Sequence, residues 1–390
     1  MSSTAATPMA TSRFSEQSKW AWSLIRAKPT AHRFQEMIHM IPLLMQKAHV
    51  QTFSHYNDDF QLTMYDRGLP LPKQVIQSDC IVVFTYSGDT EVSEISLDMA
   101  RSGVRFVRIN SDFPDTTCID GINQKGQLVI GNENLTPKLL WIRHSFPQRT
   151  VENNYRPLFN YTFNQIKTIE FSMPYLASKI INGNVKDASL LAQLETAQTA
   201  GFDIPNGLIT NDPSYAAKKI TSISSKIVVK SLGTHWVQDS ADRFIGIFPQ
   251  IFSINELQHA PKEPVPVFYQ EYIPHDIEIR AYVIGNTLIS FALSGKKYAS
   301  QLWISPSSID IQFIELPQKI KDRIFRFQQL MHFDYGAIDL LRKTDGSYVF
   351  LEINLDGDWD YFEKQSNENT LIRKAMDEFL LKQFRHLAGN

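Results

Sequence analysis

Along the 390-residue chain the spacing of apolar positions changes several times, and each change predicts an element. Between Lys19 and Val50 apolar residues recur at helical intervals, at Trp20, Leu24, Phe34, Met37, Ile38, Ile41, Leu44 and Met45, with Pro29 and Pro42 dividing the run. The stretch is expected as a helical layer packed on the core, with a docking face for a peptide or second subunit as the alternative. From Cys80 the pattern becomes strand, loop, helix, strand: CIVVFTYSGD, then TEVSEISLDMARSG ending at Gly103, then VRFVRIN. This is a βαβ unit, and Gly88 stands alone where a dinucleotide fingerprint needs three glycines, so no NAD site is expected. Helix is expected from Tyr161 to Ile181, and again through Leu190, Leu191, Leu194 and Ala197 until Gly201. Asn211 or Asp212 offers an N-cap for a further helix starting at Pro213. KIVVK is a β-branched strand ending at Lys230. In the run VFYQEYIPHDIEIRAYVIG, Arg280 lies one alternation beyond Glu278 and faces the same way, which alone would suit a solvent-facing pair bridging on a sheet surface.

The chemistry concentrates between Tyr335 and Trp359, YGAIDLLRKTDGSYVFLEINLDGDW. Two alternating runs flank Asp345-Gly346, which suits a two-residue type I′ turn. In the register that follows, Asp339 faces Glu352, and Asn354 lies on the same face two residues on. Ile338 with Ile353 and Leu340 with Leu351 form the core face, while Leu341 and Phe350 share the face of the acids. Like charges directly opposite destabilise a sheet, so a counter-charge is required. Two carboxylates and an amide oxygen are hard ligands suited to Mg²⁺ that also holds phosphates. An edge hairpin with a solvated acidic face is the alternative, and Leu341 and Phe350 on that face argue against it.

Composition removes several classes. A hydrophobic content of 43% over this length suits two or three domains with real cores. The formal net charge of −2 gives no basic field, so neither nucleic acid nor anionic membrane is an expected partner. Cys80 and Cys118 are the only cysteines, which excludes a disulfide framework and a Cys-based zinc cluster and fits a cytoplasmic location. No apolar run approaches the roughly 18 residues of a spanning helix, and the acid-free MSSTAATPMATSR is expected as a disordered tail. Self-association as a homo-oligomer is left open.

The residues ID339LLR, the turn, and VFLE352IN354 resemble the metal-binding end of ATP-grasp enzymes, and more closely the peptide ligases that cross-link microviridin-type ribosomal peptides. The family's Asn-Pro-Asn-Gly-Gln-Trp ending is matched in frame by Asn354-Leu355-Asp356-Gly357-Asp358-Trp359, with three positions changed. KLLWIRHSFP resembles the Trp-Tyr-Arg-Arg-Pro strand of the small domain preceding the fold, with His144 in the second Arg position. Arg143 and His144 are expected as a satisfied structural pair, with contact to an acidic substrate as the alternative.

The resemblance implies an α/β chain with an ATP-grasp fold of two α+β subdomains over residues 176–390. A βαβ-type pre-ATP-grasp domain over 79–175 and a partly helical N-terminal extension over 1–78 precede it. It also implies the site. Lys230 takes the place of the main ATP lysine, Glu271, Tyr272 and Ile273 that of the adenine hinge, and Glu278 that of the ribose acid. Arg280 is placed at the γ-phosphate or acyl phosphate, Lys297 substitutes for a phosphate-seating Arg, and Asp339, Glu352 and Asn354 hold Mg²⁺. The phosphate lysine on the family's first helix aligns with Leu190, and THWVQDSADRF, in the place of the phosphate-covering flap, is poor in Gly. Asp356, Asp358 and Asp360 form an acidic turn, read as solvated or as attracting a substrate amine. The implied activity is ADP-forming ligation of Asp or Glu side chains to Lys, Ser or Thr in a leader-core precursor peptide. The alternatives are a glutamate-adding ligase of the ribosomal-protein-modifying type and a binding module that does not ligate.

Overall fold

The computed structural model describes residues 49–52, 79–86, 88–111, 121–130, 133–144, 164–165, 167–169, 171–220, 224–233, 235–240, 243–295, 309–368 and 370–389. Most of the expected N-terminal helical layer therefore lies outside the described residues. Its last two residues, His49 and Val50, belong to strand β1 (His49–Thr52) and not to a helix.

The βαβ unit is present as expected. β2 (Asp79–Thr85), α1 (Thr90–Arg101) and β3 (Phe106–Asn110) pair the two strands in parallel, with Asp89 capping α1 through its carboxylate. The sheet continues through β6 (Glu133–Ile142) to β5 (Leu128–Ile130) and β4 (Gly121–Ile122), and β7 (Lys179–Ile180) lies parallel to β6. The expected helix to Ile181 is overturned at its end: a 3₁₀ turn at Met173–Tyr175 closes it and the chain is extended by Lys179. Pro174 has no amide donor for the ladder, which accounts for the stop.

α2 (Leu190–Ala200) follows and ends at Gly201, whose φ of 101° is the left-handed C-cap conformation that glycine supplies. A four-stranded antiparallel sheet comes next, in the order β12 (Gln250–Ser253), β9 (Lys226–Lys230), β13 (Val267–Glu271), β8 (Gly207–Thr210). One face is covered by α3 (Pro213–Lys219), capped by Asp212, and by α4 (Ile254–His259). Between β9 and β12 a hairpin of β10 (Trp236–Ser240) and β11 (Arg243–Gly246) takes β1 as a third strand.

The second large sheet is antiparallel in the order β16 (Asp310–Ile314), β15 (Thr287–Ser294), β14 (Ile277–Ile284), β17 (Tyr335–Arg342), β18 (Tyr348–Asn354). Period-two alternation sends Ile279, Ala281, Val283, Ile338 and Leu340 to one face, against α2 and α5 (Gln318–Met331). Tyr282, Ile284, Tyr335 and Ala337 face the other way, into a cluster shared with α6 (Asp360–Ser366), α7 (Leu371–Ala388) and with Ile81, Val83 and Trp141 of the βαβ sheet. That second face turns from apolar to ionic along the strands, because Glu278, Arg280 and Asp339 continue the alternation of Tyr282 and Ala337.

Candidate functional site

The carboxylates meet as the register predicted, with Asp339 opposite Glu352 and Ile338 opposite Ile353. The route to that register differs. Lys343 N–H bonds Ser347 O at 2.9 Å, and Gly346 alone adopts a positive φ, of 81°, in place of the expected two-residue type I′ loop. This shifts the ladder by one, so Leu340 faces Phe350, and a bulge at Leu351 restores Asp339 to Glu352. Phe350, expected beside the acids, is instead wholly buried in the core with Leu340.

The repulsion between the acids is offset by two side-chain cations. Arg280, directly opposite Asp339 on β14, donates Nη1 to both its oxygens at 3.1 and 2.9 Å. Lys230 reaches across from the other sheet and donates Nζ to Glu352 Oε2 at 3.4 Å. Asn354 Nδ2 donates to Asp339 Oδ2 at 3.2 Å. Burial, with Glu352 and Glu278 nearby, pushes Asp339 up to about 6 against the pull of Arg280. Glu352 moves the other way, held below the usual carboxylate range chiefly by Lys230, with His235 and Arg280 adding to it against burial. Arg280 is not saturated by its partner, since its Nε is buried with no hydrogen-bond partner among the described residues. Its carboxylate partner Asp339 stands directly across the sheet.

Of the remaining expected residues, the structure describes Glu271, Tyr272, Ile273 and Glu278. Glu278 continues the face of Arg280 and has His275 Nε2 at 3.4 Å. Glu271 ends β13, and its backbone and side chain are both tied to Asn206, through Glu271 N–H to Asn206 O at 2.8 Å and Asn206 Nδ2 to Glu271 Oε2 at 3.1 Å. Tyr272 N–H donates to Lys226 O at 3.2 Å and Ser224 Oγ donates to Tyr272 O at 3.2 Å, so the segment entering Ile273 has a fixed path. Lys297, with Lys296 and Gln301 to Ile304, lies outside the described residues.

Four further residues shape the site, and of these only Gly357 figures in the sequence reading, as a position of the matched ending. Gln193 of α2 accepts from Ile353 N–H at 2.9 Å and so holds β18 between its two polar residues. Its position on the buried face of an apolar helix is the signal that marks it. Asn182 accepts from Asp334 and Tyr335 N–H at 2.8 and 2.9 Å and donates to Leu355 O at 3.1 Å, latching the start of β17 to the end of β18. Gly357 leaves room for Arg280: a Cβ there would stand 3.0 Å from Nη2 and 2.6 Å from Ala337 Cβ. His235, which acts on Glu352, sits in the loop after Lys230 and nothing in its local pattern singles it out.

The acidic turn is not simply solvated. Asp358 accepts from Arg143 Nη2 at 2.8 Å, and His144 Nε2 stands 3.0 Å from the same oxygen, while Asp356 lies 3.5 Å from His144 Nδ1. Arg143 also pairs with Asp89 and Glu91, and Glu91 accepts from Trp359 and Asp360 N–H at 2.6 Å each. Although burial opposes it, the bonds to Asp356 and Asp358 hold the His144 imidazolium up to about 9. Burial pushes Glu91 up to about 7 despite Arg143. The structural-pair reading of Arg143 and His144 fits this network.

The donor set fits Mg²⁺ and a polyphosphate. Among the described residues no group of three or more His, Cys, Asp or Glu side chains could hold a metal alone. Mg²⁺ characteristically takes one or two carboxylates and completes its octahedron with phosphate and water. No helix of the described residues is long and apolar enough to cross a membrane.

No protein-family model matches the chain, and neither does any curated protein sequence. Solved structures do match. The macrocyclase MdnC from Microcystis aeruginosa MRC, bound with precursor peptide MdnA, is 20% identical, with a TM-score of 0.65 over 78% of this chain and 99% of that one. A ribosomal-peptide-associated ATP-grasp ligase from Chryseobacterium gregarium, in complex with ADP and a leader and core peptide, is 20% identical, with a TM-score of 0.63 over 78% and 97%. The ATP-grasp ligase PsnB, complexed with a phosphomimetic variant of a minimal precursor, Mg and ADP, is 18% identical, with a TM-score of 0.60 over 80% and 99%. This chain has the ATP-grasp fold.

Proposed function

We propose that the chain is an ATP-dependent, ADP-forming ligase that joins Asp or Glu side chains to Lys, Ser or Thr within a ribosomally made leader-core precursor peptide. The observation that carries this reading is Lys230 meeting Glu352 across the two sheets, beside Asp339 and Arg280. Two acids and two cations in one half-buried cleft form a set whose internal pairs can be exchanged for metal and phosphate at little net cost in charge. Two of the solved structures with this fold support it: the Chryseobacterium gregarium ligase is in complex with ADP and a leader and core peptide, and PsnB with Mg, ADP and a variant of its minimal precursor.

In this reading Asp339, Glu352 and Asn354 hold Mg²⁺, which neutralises phosphate charge when bound. Lys230 holds phosphate oxygens as a point charge, and Glu278 takes the ribose hydroxyls. The hinge at Glu271, Tyr272 and Ile273 receives the adenine. Arg280, freed in part from Asp339, offers its planar fork to the transferred phosphoryl group, with Lys297 assigned to the same anion. A substrate carboxylate oxygen bonds to the γ-phosphorus as the bond to ADP breaks. A hydroxyl or amine of the same peptide then attacks the acyl carbon, phosphate leaves, and the nucleophile's proton is released. The held nucleophile has a high effective concentration, and exclusion of water protects the acyl phosphate. In this division residues 79–175 form the pre-ATP-grasp domain and 176–390 the ATP-grasp domain.

The test is mass spectrometry of an Asp/Glu- and Ser/Thr/Lys-rich peptide encoded beside the gene, incubated with enzyme, ATP and Mg²⁺. Loss of one water per ring, in step with ADP and without AMP, is expected. A gain of a glutamate residue would assign the glutamate-adding reaction, and peptide binding with neither change would assign a binding module.

A further inference from the structure

The hairpin β10–β11 rises between Lys230 and β12, and its root is built into the site. Ile247 N–H donates to His235 O at 2.6 Å, and His235 Nδ1 lies 3.3 Å from Ile247 O and 3.4 Å from Ser231 Oγ, one residue after Lys230. An isolated two-stranded hairpin is marginal in water, and this one is weakened further by a register shift between Gln238 and Ser240. Its free edge is occupied by the chain itself: β1 runs antiparallel to β11, with His49 opposite Gly246, Val50 opposite Ile245, Gln51 opposite Phe244 and Thr52 opposite Arg243. The occupying strand comes from the N-terminal extension, expected to be an accessory layer. The matched structures are spanned over 97–99% of their own length by 78–80% of this chain, so about a fifth of it has no counterpart in them.

We propose that residues 49–52 are a strand supplied in cis that holds the β10–β11 hairpin in place over the phosphates of the bound nucleotide, so that the extension is a positioning element of the ATP site. The inference rests on the nucleotide reading above. The physical argument is edge completion. A third strand fixes the register of a hairpin, pairs its outer backbone groups and raises the free energy of opening it. Because the hairpin's root is the His235–Ile247 pair and His235 also meets Ser231, the order imposed at its edge reaches the residue next to Lys230. The Gly-poor sequence of the hairpin suits this arrangement: rigidity comes from pairing with β1, where a glycine-rich loop would close by its own flexibility.

Adjacent residues of an antiparallel edge strand turn their N–H groups alternately toward and away from the neighbour. Proline removes a ladder bond at one position and is tolerated at the next. The test therefore compares Val50→Pro with Gln51→Pro in the full-length chain, reading amide exchange in β11 and β14 and the KM for ATP. One of the two variants is expected to speed exchange at Arg243–Gly246 about tenfold and to raise KM several-fold, with β14 unchanged and the other variant near wild type. No effect of either proline on β11 exchange overturns the pairing. Faster exchange with unchanged KM overturns the positioning role. Equal damage by both variants, with β14 also exchanging faster, overturns the edge-strand geometry. If the wild type binds no ATP, the nucleotide reading fails and this proposal with it, while the exchange data still report on the strand by themselves.

Discussion

At the scale of single residues, the site is a set of charges that satisfy one another until a ligand intervenes. Glu352 is the pivot, since it faces Asp339, takes Lys230 and lies under the influence of His235. Its folded pKa is depressed, so the pair contributes stability that is present above the unfolded glutamate pKa of about 4.3 and is lost as the pH falls through the lower folded value. Glu352→Gln should remove that acid-limb slope from denaturation curves while leaving a cooperative fold. The same variant should lower Mg²⁺-dependent ATP turnover by about a hundredfold or more, because metal and phosphate stabilisation supplies several kcal/mol in such reactions. Undiminished turnover would remove Glu352 from the metal site. Sequence reasoning reached this residue because cross-strand repulsion is visible in a register count. Arg280 was legible as a cation on the face of Glu278, but its bond to Asp339 was not, since it needs β14 beside β17, a pairing of strands more than fifty residues apart.

At the scale of elements, the β17–β18 hairpin shows how a correct pairing can follow from an incorrect turn. Counting from a two-residue loop put Asp339 opposite Glu352; the real loop moves every pair by one, and the unpaired Leu351 moves the acids back. Alternation encodes facing but not bulges, which is why Phe350 was misplaced while the carboxylates were not. If Leu351 only absorbs that shift, its deletion should leave Leu340 against Phe350 and Asp339 against Glu352 in a regular ladder. A Leu351-deleted protein should therefore retain cooperative unfolding and Mg²⁺-dependent nucleotide binding, measurable by denaturation and calorimetry, and loss of both would show that the bulge's twist is itself required. Helices α1 and α7 give a second case at this scale. Asp98 accepts from Arg373 Nε at 2.8 Å and lies against Asp377, whose carboxyl is pushed up to about 7 by burial and by Asp98. A raised acid pKa contributes stability that is fully present below the unfolded value of about 3.9 and is lost as the pH rises toward the folded one. Asp377→Asn should raise Tm at pH 8, with the gain vanishing near pH 4, because the amide keeps the proton that the carboxyl loses.

At the scale of the whole molecule, the βαβ sheet and the strands of the site share one core. The apolar cluster containing Ile81, Val83 and Trp141 also contains Tyr282, Phe291, Tyr335 and Trp359, and the indoles of Trp141 and Trp359 are parallel at 6.3 Å. Arg143 lies over both, 5.1 and 4.3 Å from their centroids, and is fully buried among Asp89, Glu91 and Asp358. This junction was only partly legible: the Trp-x-Arg strand and the Gly-x-Trp turn were each recognisable, but no local pattern says that they meet. Removing one member of a buried ion network leaves the others uncompensated, at a cost of about 3–5 kcal/mol. Arg143→Met should therefore destabilise the chain by about that amount, with Trp fluorescence and far-UV circular dichroism reporting the same urea midpoint, because both halves lose their common core together. Glu91→Gln added to Arg143→Met should recover part of the loss. It removes a buried charge that has lost its partner and keeps the acceptor that caps Trp359 and Asp360 N–H. Two separated transitions in the single variant would show that the βαβ unit and the site's sheet unfold independently. No recovery in the double variant would show that the loss comes from packing over Trp141 and Trp359, with the charge on Glu91 of no consequence.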